Sequence, residues 1–120
     1  MHEMAITELI VEEATAVAAG ARVTRVQLEI GQLAAVVPDA IWFCFDVCAK
    51  GTPVEGAALE IRVIPGRGAC AACGAEVPIH DALLPECVCG SAAVTVTQGR
   101  ELRLCEIELE EVGDVRDVRM

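Results

Sequence analysis

The sequence predicts an α+β fold close to the α/β type. We expect a small mixed sheet of three to four strands with two helices, and a separate cysteine-bearing module inserted before the last strand. Three observations predict this class. Helical and alternating apolar patterns succeed one another up to residue 64, and residues 65–99 are rich in Gly, Pro and Cys. An alternating pattern then resumes at Leu102. This order is typical of an α/β domain that an insertion interrupts.

The first predicted elements are a helix over residues 4–19 and a strand after it. The apolar residues of the helix recur at helical spacing on one stripe: Ile6, Leu9, Ile10, Val17 and Ala18. Gly20 is well placed to end the helix. A strand is predicted from Arg22 to Ile30, where apolar and polar side chains alternate. A short strand before the helix is compatible with the sequence, although the first residues are too few to show a pattern.

A second helix is predicted from Pro38 to Lys50, because proline is tolerated in a first helical turn and Gly51 can stop the helix. Residues 59–64 alternate and predict a second strand, and residues 102–109 predict a third that returns to the first sheet. The tail from Gly113 is charged and is expected to be disordered. The apolar members of the second helix include Ile41, Trp42, Phe45, Cys48 and Ala49.

Composition and charge exclude several classes of function. The chain has 120 residues, of which 54% are hydrophobic, so one compact domain, or a small domain with a minidomain, can bury a core. Its formal net charge of -10 repels a phosphate backbone and argues against nucleic-acid binding. No apolar run is long enough to span a bilayer, and the first ten residues carry charges where a signal peptide is apolar. We therefore expect a cytoplasmic protein without nucleic-acid or membrane partners.

Four of the seven cysteines form the pattern C-x2-C-x13-C-x-C, with Cys70, Cys73, Cys87 and Cys89. Two turn-borne cysteine pairs are a ligand set that zinc prefers in structural sites. A module of about 35 residues rich in Gly and Pro has too small a core to fold alone and needs a stabilising metal site. A glycine follows each pair, which lets the backbone curl round the metal and turn its amides toward the sulfurs. The pattern therefore predicts a zinc-ribbon-like module with one structural zinc.

Alternatives remain open at this cluster. The second pair is one residue shorter than the usual C-x-x-C, which leaves the zinc geometry open, with His80 as a reserve ligand and Glu86 as a weaker one. A redox role for the first pair is another alternative, although redox pairs normally begin a helix that follows a strand. The other three cysteines are expected to be small core residues, with a second soft-metal site as the alternative: Cys44, Cys48 and Cys105.

The N-terminus, Met1-His2-Glu3, offers a different set of metal ligands. The α-amine, the His2 imidazole and the backbone amides of His2 and Glu3 lie within a few bonds of each other. Such a nitrogen-rich set suits square-planar nickel(II) or copper(II). Its binding releases protons and should weaken as the pH falls through the histidine range. Taken alone, however, a terminal histidine is more often a solvent-exposed residue than a ligand.

Four short motifs, taken together, are typical of one protein family. They are Met-His-Glu-Met at the start, Gly-Thr-Pro-Val-Glu-Gly-Ala-Ala-Leu-Glu-Ile at 51–61, Cys89-Gly90-Ser91 and Gly99-Arg100-Glu101-Leu102. In this order they resemble the HypA/HybF family, and the resemblance covers essentially residues 1–112. Its members are nickel metallochaperones for the maturation of [NiFe]-hydrogenase.

The resemblance implies a nickel domain of residues 1–65 and 99–120 and an inserted zinc domain of residues 66–98. It assigns nickel to His2 and Glu3, with the Met1 amine as a further participant, and zinc to the four cysteines. It implies a carrier rather than an enzyme, working with a HypB-type GTPase and passing nickel toward the hydrogenase large subunit. A homodimer and service to urease stay open. The alternatives are a zinc-stabilised interaction module without nickel transport and a thiol–disulfide oxidoreductase.

Overall fold

The computed structural model describes residues 2–81, 85–110 and 115–118. Two helices and short strands make up these residues, and the α+β class predicted from the sequence is confirmed. Neither described helix combines the length and the apolarity that crossing a lipid bilayer requires. The elements along the chain are α1 (Glu3–Ala18), β1 (Val23–Gly31), α2 (Pro38–Ala49), β2 (Ala58–Ile64), β3 (Arg67–Cys70), β4 (Glu76–Pro78), β5 (Val94–Gln98), β6 (Leu102–Leu109) and β7 (Val115–Asp117).

The chain divides into two compact units. The first unit comprises Met1–Glu29, Val36–Arg62 and Arg103–Met120, and the second comprises Ile30–Ala35 and Val63–Leu102. The short segment before α2 therefore belongs with the cysteine-rich stretch. Leu33 explains this, because its side chain packs against the small apolar cluster of the second unit.

In the first unit, α1 packs against α2, and the four-stranded sheet has the order β2-β1-β6-β7. Predicted and observed bounds of the two helices differ by one residue at an end. The buried stripe of α1 shares Ile10 and Ala18 with the predicted one but differs from it elsewhere. Leu9 is 65% exposed, whereas Thr7 is fully buried. A threonine can be buried here because its hydroxyl donates a hydrogen bond of 2.6 Å to the carbonyl of Glu3. The buried residues of α1 are Thr7, Ile10, Val11, Ala14 and Ala18.

The fourth strand of this sheet comes from the C-terminal tail, so the expectation of a disordered tail is wrong for residues 115–117. There β7 pairs antiparallel with β6, with Arg116 opposite Ile107. The Arg116 guanidinium also donates a hydrogen bond of 2.6 Å to the carbonyl of Val17. Gly113 itself lies outside the described residues. Since α1 already begins at Glu3, residues 2–3 form no strand before it.

A buried carboxylate ties β1 to its neighbours in the sheet. Glu29 is 4% exposed, and its Oε1 accepts hydrogen bonds from Nε and a terminal nitrogen of Arg103 at 2.7 and 2.6 Å. A terminal nitrogen of Arg62 lies 3.4 Å from its Oε2. Burial raises the pKa of this carboxyl, but the two guanidinium groups and Cys105 more than offset that effect, so the pKa is lowered. Glu29 is therefore an ionised group that the folded state stabilises.

The second unit is built on a three-stranded antiparallel sheet with the order β4-β3-β5. Its core is small, and two of its buried members are cysteines of the C-x2-C-x13-C-x-C pattern. The apolar cluster consists of Cys70, Val77, Ile79 and Cys87, with Leu33, Val94 and Val96 packed against it.

Candidate metal centre

The first cysteine pair lies on a tight turn that follows β3. Cys70 is the last residue of β3. Its amide donates a hydrogen bond of 2.9 Å to the carbonyl of Ala75, and its carbonyl accepts one of 2.8 Å from the amide of Gly74. These bonds fold the chain back so that Cys73 returns toward Cys70. Gly74 closes the turn with φ +75° and open space around it, as the position of glycine after the pair predicts.

The second pair lies on an even shorter turn. The amide of Cys87 bonds to the carbonyl of Ser91 at 3.0 Å, and the amide of Gly90 bonds to the carbonyl of Cys87 at 2.9 Å. Gly90 has φ +89°, again with open space around it. Val88, between the two cysteines, is fully exposed, so its side chain leaves the sulfurs unobstructed.

The two turns bring the four sulfurs close enough together to share one metal ion. The Sγ atoms of Cys70 and Cys89 are 3.7 Å apart, and those of Cys73 and Cys87 are 3.6 Å apart. All four lie within 4.8 Å of one another. In a regular tetrahedron with zinc–sulfur bonds of about 2.3 Å, the sulfurs lie about 3.8 Å apart. The donor set therefore fits a zinc ion, and the shortened loop still brings Cys89 to the cluster.

The surroundings of the sulfurs lower the pKa of Cys70 and raise the pKa of Cys87. The amide of Cys73 is the main cause that lowers the pKa of Cys70 to about 7, burial opposes it, and the amide of Ala72 adds to the lowering. The amide of Cys89 is the strongest influence on Cys87 and lowers its pKa, but burial and the neighbouring sulfurs together outweigh it and raise that pKa to about 12. A divalent ion bound to all four sulfurs must therefore displace protons.

His80 and Glu86 lie apart from the sulfur cluster. Among the described His, Cys, Asp and Glu side chains, the group of three or more that lies close enough to share a metal ion consists of the four cysteines. His80 and Glu86 instead line a separate cavity of about 220 Å³ with Pro78 and Asp81. Their role as reserve ligands stays a prediction.

Two residues that support the cluster were not expected from the sequence. Ser91 accepts the amide of Cys87 through its carbonyl and the amide of Ala93 through its hydroxyl, at 3.0 Å each. Leu33 lies far away in sequence and packs on the apolar cluster that contains Cys70 and Cys87. A serine two residues after Cys89 is a local signal that could have been used, whereas the position of Leu33 depends on the fold.

The N-terminal candidates lie at the start of α1. His2 precedes the helix with φ -92° and ψ 82°, and its carbonyl accepts the amide of Ile6 at 3.1 Å. The His2 side chain is exposed, and Glu3 is the first helical residue and is half-buried. The Met1 amine lies outside the described residues. His2 and Glu3 thus present adjacent amides and an imidazole at a helix N-terminus.

Comparisons with known proteins agree on one protein family. A family model described as "Hydrogenase/urease nickel incorporation, metallochaperone, hypA" matches residues 1–109. A "Hydrogenase maturation factor HypA" of a Nostoc species is 51% identical over 112 residues, which are 93% of this chain and 98% of the relative. The protein of the same name from Geobacter metallireducens is 49% identical over 110 residues, which are 92% of this chain and 100% of the relative.

The fold is also similar to a solved one. The solution structure of the nickel metallochaperone HypA from Helicobacter pylori matches with a TM-score of 0.61 at 24% identity. The match covers 91% of this chain and 97% of that one. At this identity the likeness concerns the fold.

Proposed function

The chain belongs to the HypA family of nickel-incorporation metallochaperones, and on that premise we propose that it carries nickel(II) on its N-terminus for the maturation of [NiFe]-hydrogenase. In this proposal His2 and Glu3 hold the cargo, with the Met1 amine as a further ligand. Zinc has a structural role at a different place in the chain. The protein is then a carrier and not an enzyme.

The position of His2 and Glu3 at the start of α1 is the observation that carries the nickel assignment. The first amides of a helix have no partner within the helix. The amides of His2 and Glu3 can therefore lose their protons to nickel without breaking a helical hydrogen bond. The positive end of the helix dipole opposes a bound cation, and the deprotonated amides supply the negative charge that offsets this repulsion.

The sulfur spacing supports the structural zinc. Four thiolates at the distances given above complete a tetrahedral shell and leave no position for water or substrate. Structural sites of this kind bind zinc with about 10–16 kcal/mol. Such a free energy suffices to hold a module whose own apolar core is only a few residues.

A carrier must also give its cargo up, and an exposed terminal site suits this step. A ligand of the partner can approach the exposed His2 side before the carrier's own ligands have left.

The resemblance implies a HypB-type GTPase and the hydrogenase large subunit as partners. The relatives named as hydrogenase maturation factors support a role in hydrogenase maturation. Phe43 and Val47, which are 83% and 64% exposed on one stripe of α2, also favour docking to a protein. A cytoplasmic location and a homodimer remain predictions.

The test is nickel titration of untagged, zinc-loaded protein, followed by metal analysis. His2→Ala removes the imidazole, and extra residues placed before Met1 remove the terminal amine. Each change is expected to abolish nickel binding and to leave the zinc in place. His80→Ala is the matched control, because it removes the other histidine of the chain, and it should bind nickel like the parent.

Two results would count against the proposal. Nickel uptake that survives both N-terminal changes would show that the nickel ligands lie elsewhere. Zinc at one ion per chain without any nickel uptake by the parent would favour the zinc-stabilised interaction module without nickel transport.

A further inference from the structure

Two sulfur atoms meet where α1 packs against α2. The Sγ of Cys48 lies 3.2 Å from the Sδ of Met4 and 3.8 Å from the Met4 carbonyl oxygen. Cys44 lies one turn before Cys48 on α2, so both thiols are on the same face of that helix. Burial raises the pKa of Cys48, and the nearby Glu8 and Cys44 raise it further, which is consistent with this proximity.

The exposure of Met4 and Cys48 differs from that of a packed core. Cys44 is 8% exposed and Cys48 is half-buried, whereas Met4 is 43% exposed. A cysteine that acts only as a small hydrophobe has its sulfur enclosed by apolar groups. Here instead a thiol lies 3.2 Å from a thioether, and the methionine that carries the thioether is exposed to solvent.

We propose that Met4, Cys44 and Cys48 form a second metal site, which binds monovalent copper, Cu(I). Thiolate and thioether sulfurs are the ligands that select this soft ion, and Cu(I) is satisfied by low coordination numbers. Zinc is a poorer match, since its structural sites in proteins take four ligands, commonly from cysteine and histidine. As each copper–thiolate bond forms, the thiol releases its proton to solvent. The Met4 thioether coordinates without losing a proton, and no electron is transferred.

Charge favours a cation at this place. The Glu8 carboxylate acts on Cys48 from the neighbouring helix, and the chain as a whole carries a formal net charge of -10. The site differs in chemistry from the proposed nickel ligands, which are nitrogen donors, and it shares no residue with the four-cysteine cluster. The inference therefore does not rest on nickel transport.

The experiment is an anaerobic titration of the full-length, zinc-loaded protein with Cu(I) held by a coloured competing chelator. A zinc indicator in the same solution reports any release of zinc. The parent is expected to take one Cu(I) per chain while the zinc is retained. Met4→Leu and Cys48→Ser should each weaken this affinity by about tenfold or more, because each removes a ligand. Cys105→Ala, which removes a thiol elsewhere, is the control and should bind like the parent.

Three results would overturn the proposal. The first is release of zinc from the start of the titration, which would place the copper on the four-cysteine cluster. The second is unchanged affinity in Met4→Leu, a substitution at an exposed position whose fold circular dichroism can verify. The third is loss of Cu(I) binding in His2→Ala, which would place the copper on the N-terminal nitrogens. Sulfur-only coordination in copper X-ray absorption of the parent is the matching positive result.

Discussion

Replacing Gly31 by alanine is expected to destabilise the second unit, because other backbone occupies the space that the new methyl group needs. A Cβ at Gly31 would lie 1.9 Å from the carbonyl oxygen of Gly99, 2.1 Å from its carbonyl carbon and 2.6 Å from the amide nitrogen of Arg100. Real Cβ contacts essentially never fall below 3.0 Å, so the two chain segments must separate by at least 1.1 Å. None of these obstructing atoms belongs to a side chain that can rotate away.

The magnitude follows from the hydrogen bonds that hold the two segments together. The amide of Gly31 donates to Glu101 at 2.7 Å, and the amide of Leu33 donates to Gly99 at 2.6 Å. A lost hydrogen bond costs about 1 kcal/mol, and more where a buried group is left without a partner. Overpacking adds about 1–3 kcal/mol. We therefore expect the free energy of unfolding to fall by about 3 kcal/mol.

Urea unfolding of both proteins, with hydrogen exchange at the Leu33 amide as a local probe, checks this value. Gly51→Ala is the matched control, since Gly51 has φ +78° but, among the described residues beyond its chain neighbours, no atom lies within 4 Å of the place that a methyl group would take. It should cost only the strain of a left-handed alanine, about 1 kcal/mol. Equal losses in the two variants, or undiminished protection of the Leu33 amide in Gly31→Ala, would refute the steric reasoning.

Further outcomes concern acid, metal removal and helix packing. Because the folded state lowers the pKa of Glu29 below its ordinary 4.5, its contribution is complete above that pH and disappears as the pH falls through the lower folded value. The unfolding free energy of Glu29→Gln should therefore fall less than that of the parent as the pH is lowered from 5 to 2. Chelation of zinc should abolish hydrogen-exchange protection at the amides of Cys70 and Cys87 but preserve it in β1; protection that persists at both cysteines would argue against a structural metal. Ala14→Leu, at a fully buried position of α1, should cost about 1–3 kcal/mol in thermal or urea unfolding, whereas the exposed Ala16→Leu should cost almost nothing.

Local patterns were enough to predict both helices and the strands β1, β2 and β6 of the first unit. Pro38 begins α2 and Gly51 follows its end, as their backbone preferences require. Apolar alternation located β1 and β2 to within one or two residues. These signals succeed because they depend on dihedral angles and side-chain periodicity, which neighbours in sequence determine.

Burial was harder to predict, because a helix has several stripes and only its neighbours select one. Leu9 belongs to a plausible apolar stripe, yet α1 faces inward through Thr7, Val11 and Ala14. Trp42, an apolar member of α2, is 50% exposed for the same reason. The strand β7 escaped prediction because three mainly polar residues show no period, and pairing with the edge of β6 orders them.

The cysteine pattern with its two glycines determined by itself that this chain has a four-sulfur cluster, because ligand type, spacing and the left-handed turns are all local properties. The short motifs, beginning at the N-terminus, likewise indicated the family without any tertiary structure. Only the tertiary structure decided that the one-residue loop still brings Cys89 within 3.7 Å of Cys70, and that Leu33 joins the small core beside them. It alone placed Met4 against Cys48. Contacts between residues far apart in sequence depend on how the helices and strands pack, and no local sequence pattern determines which of these residues meet.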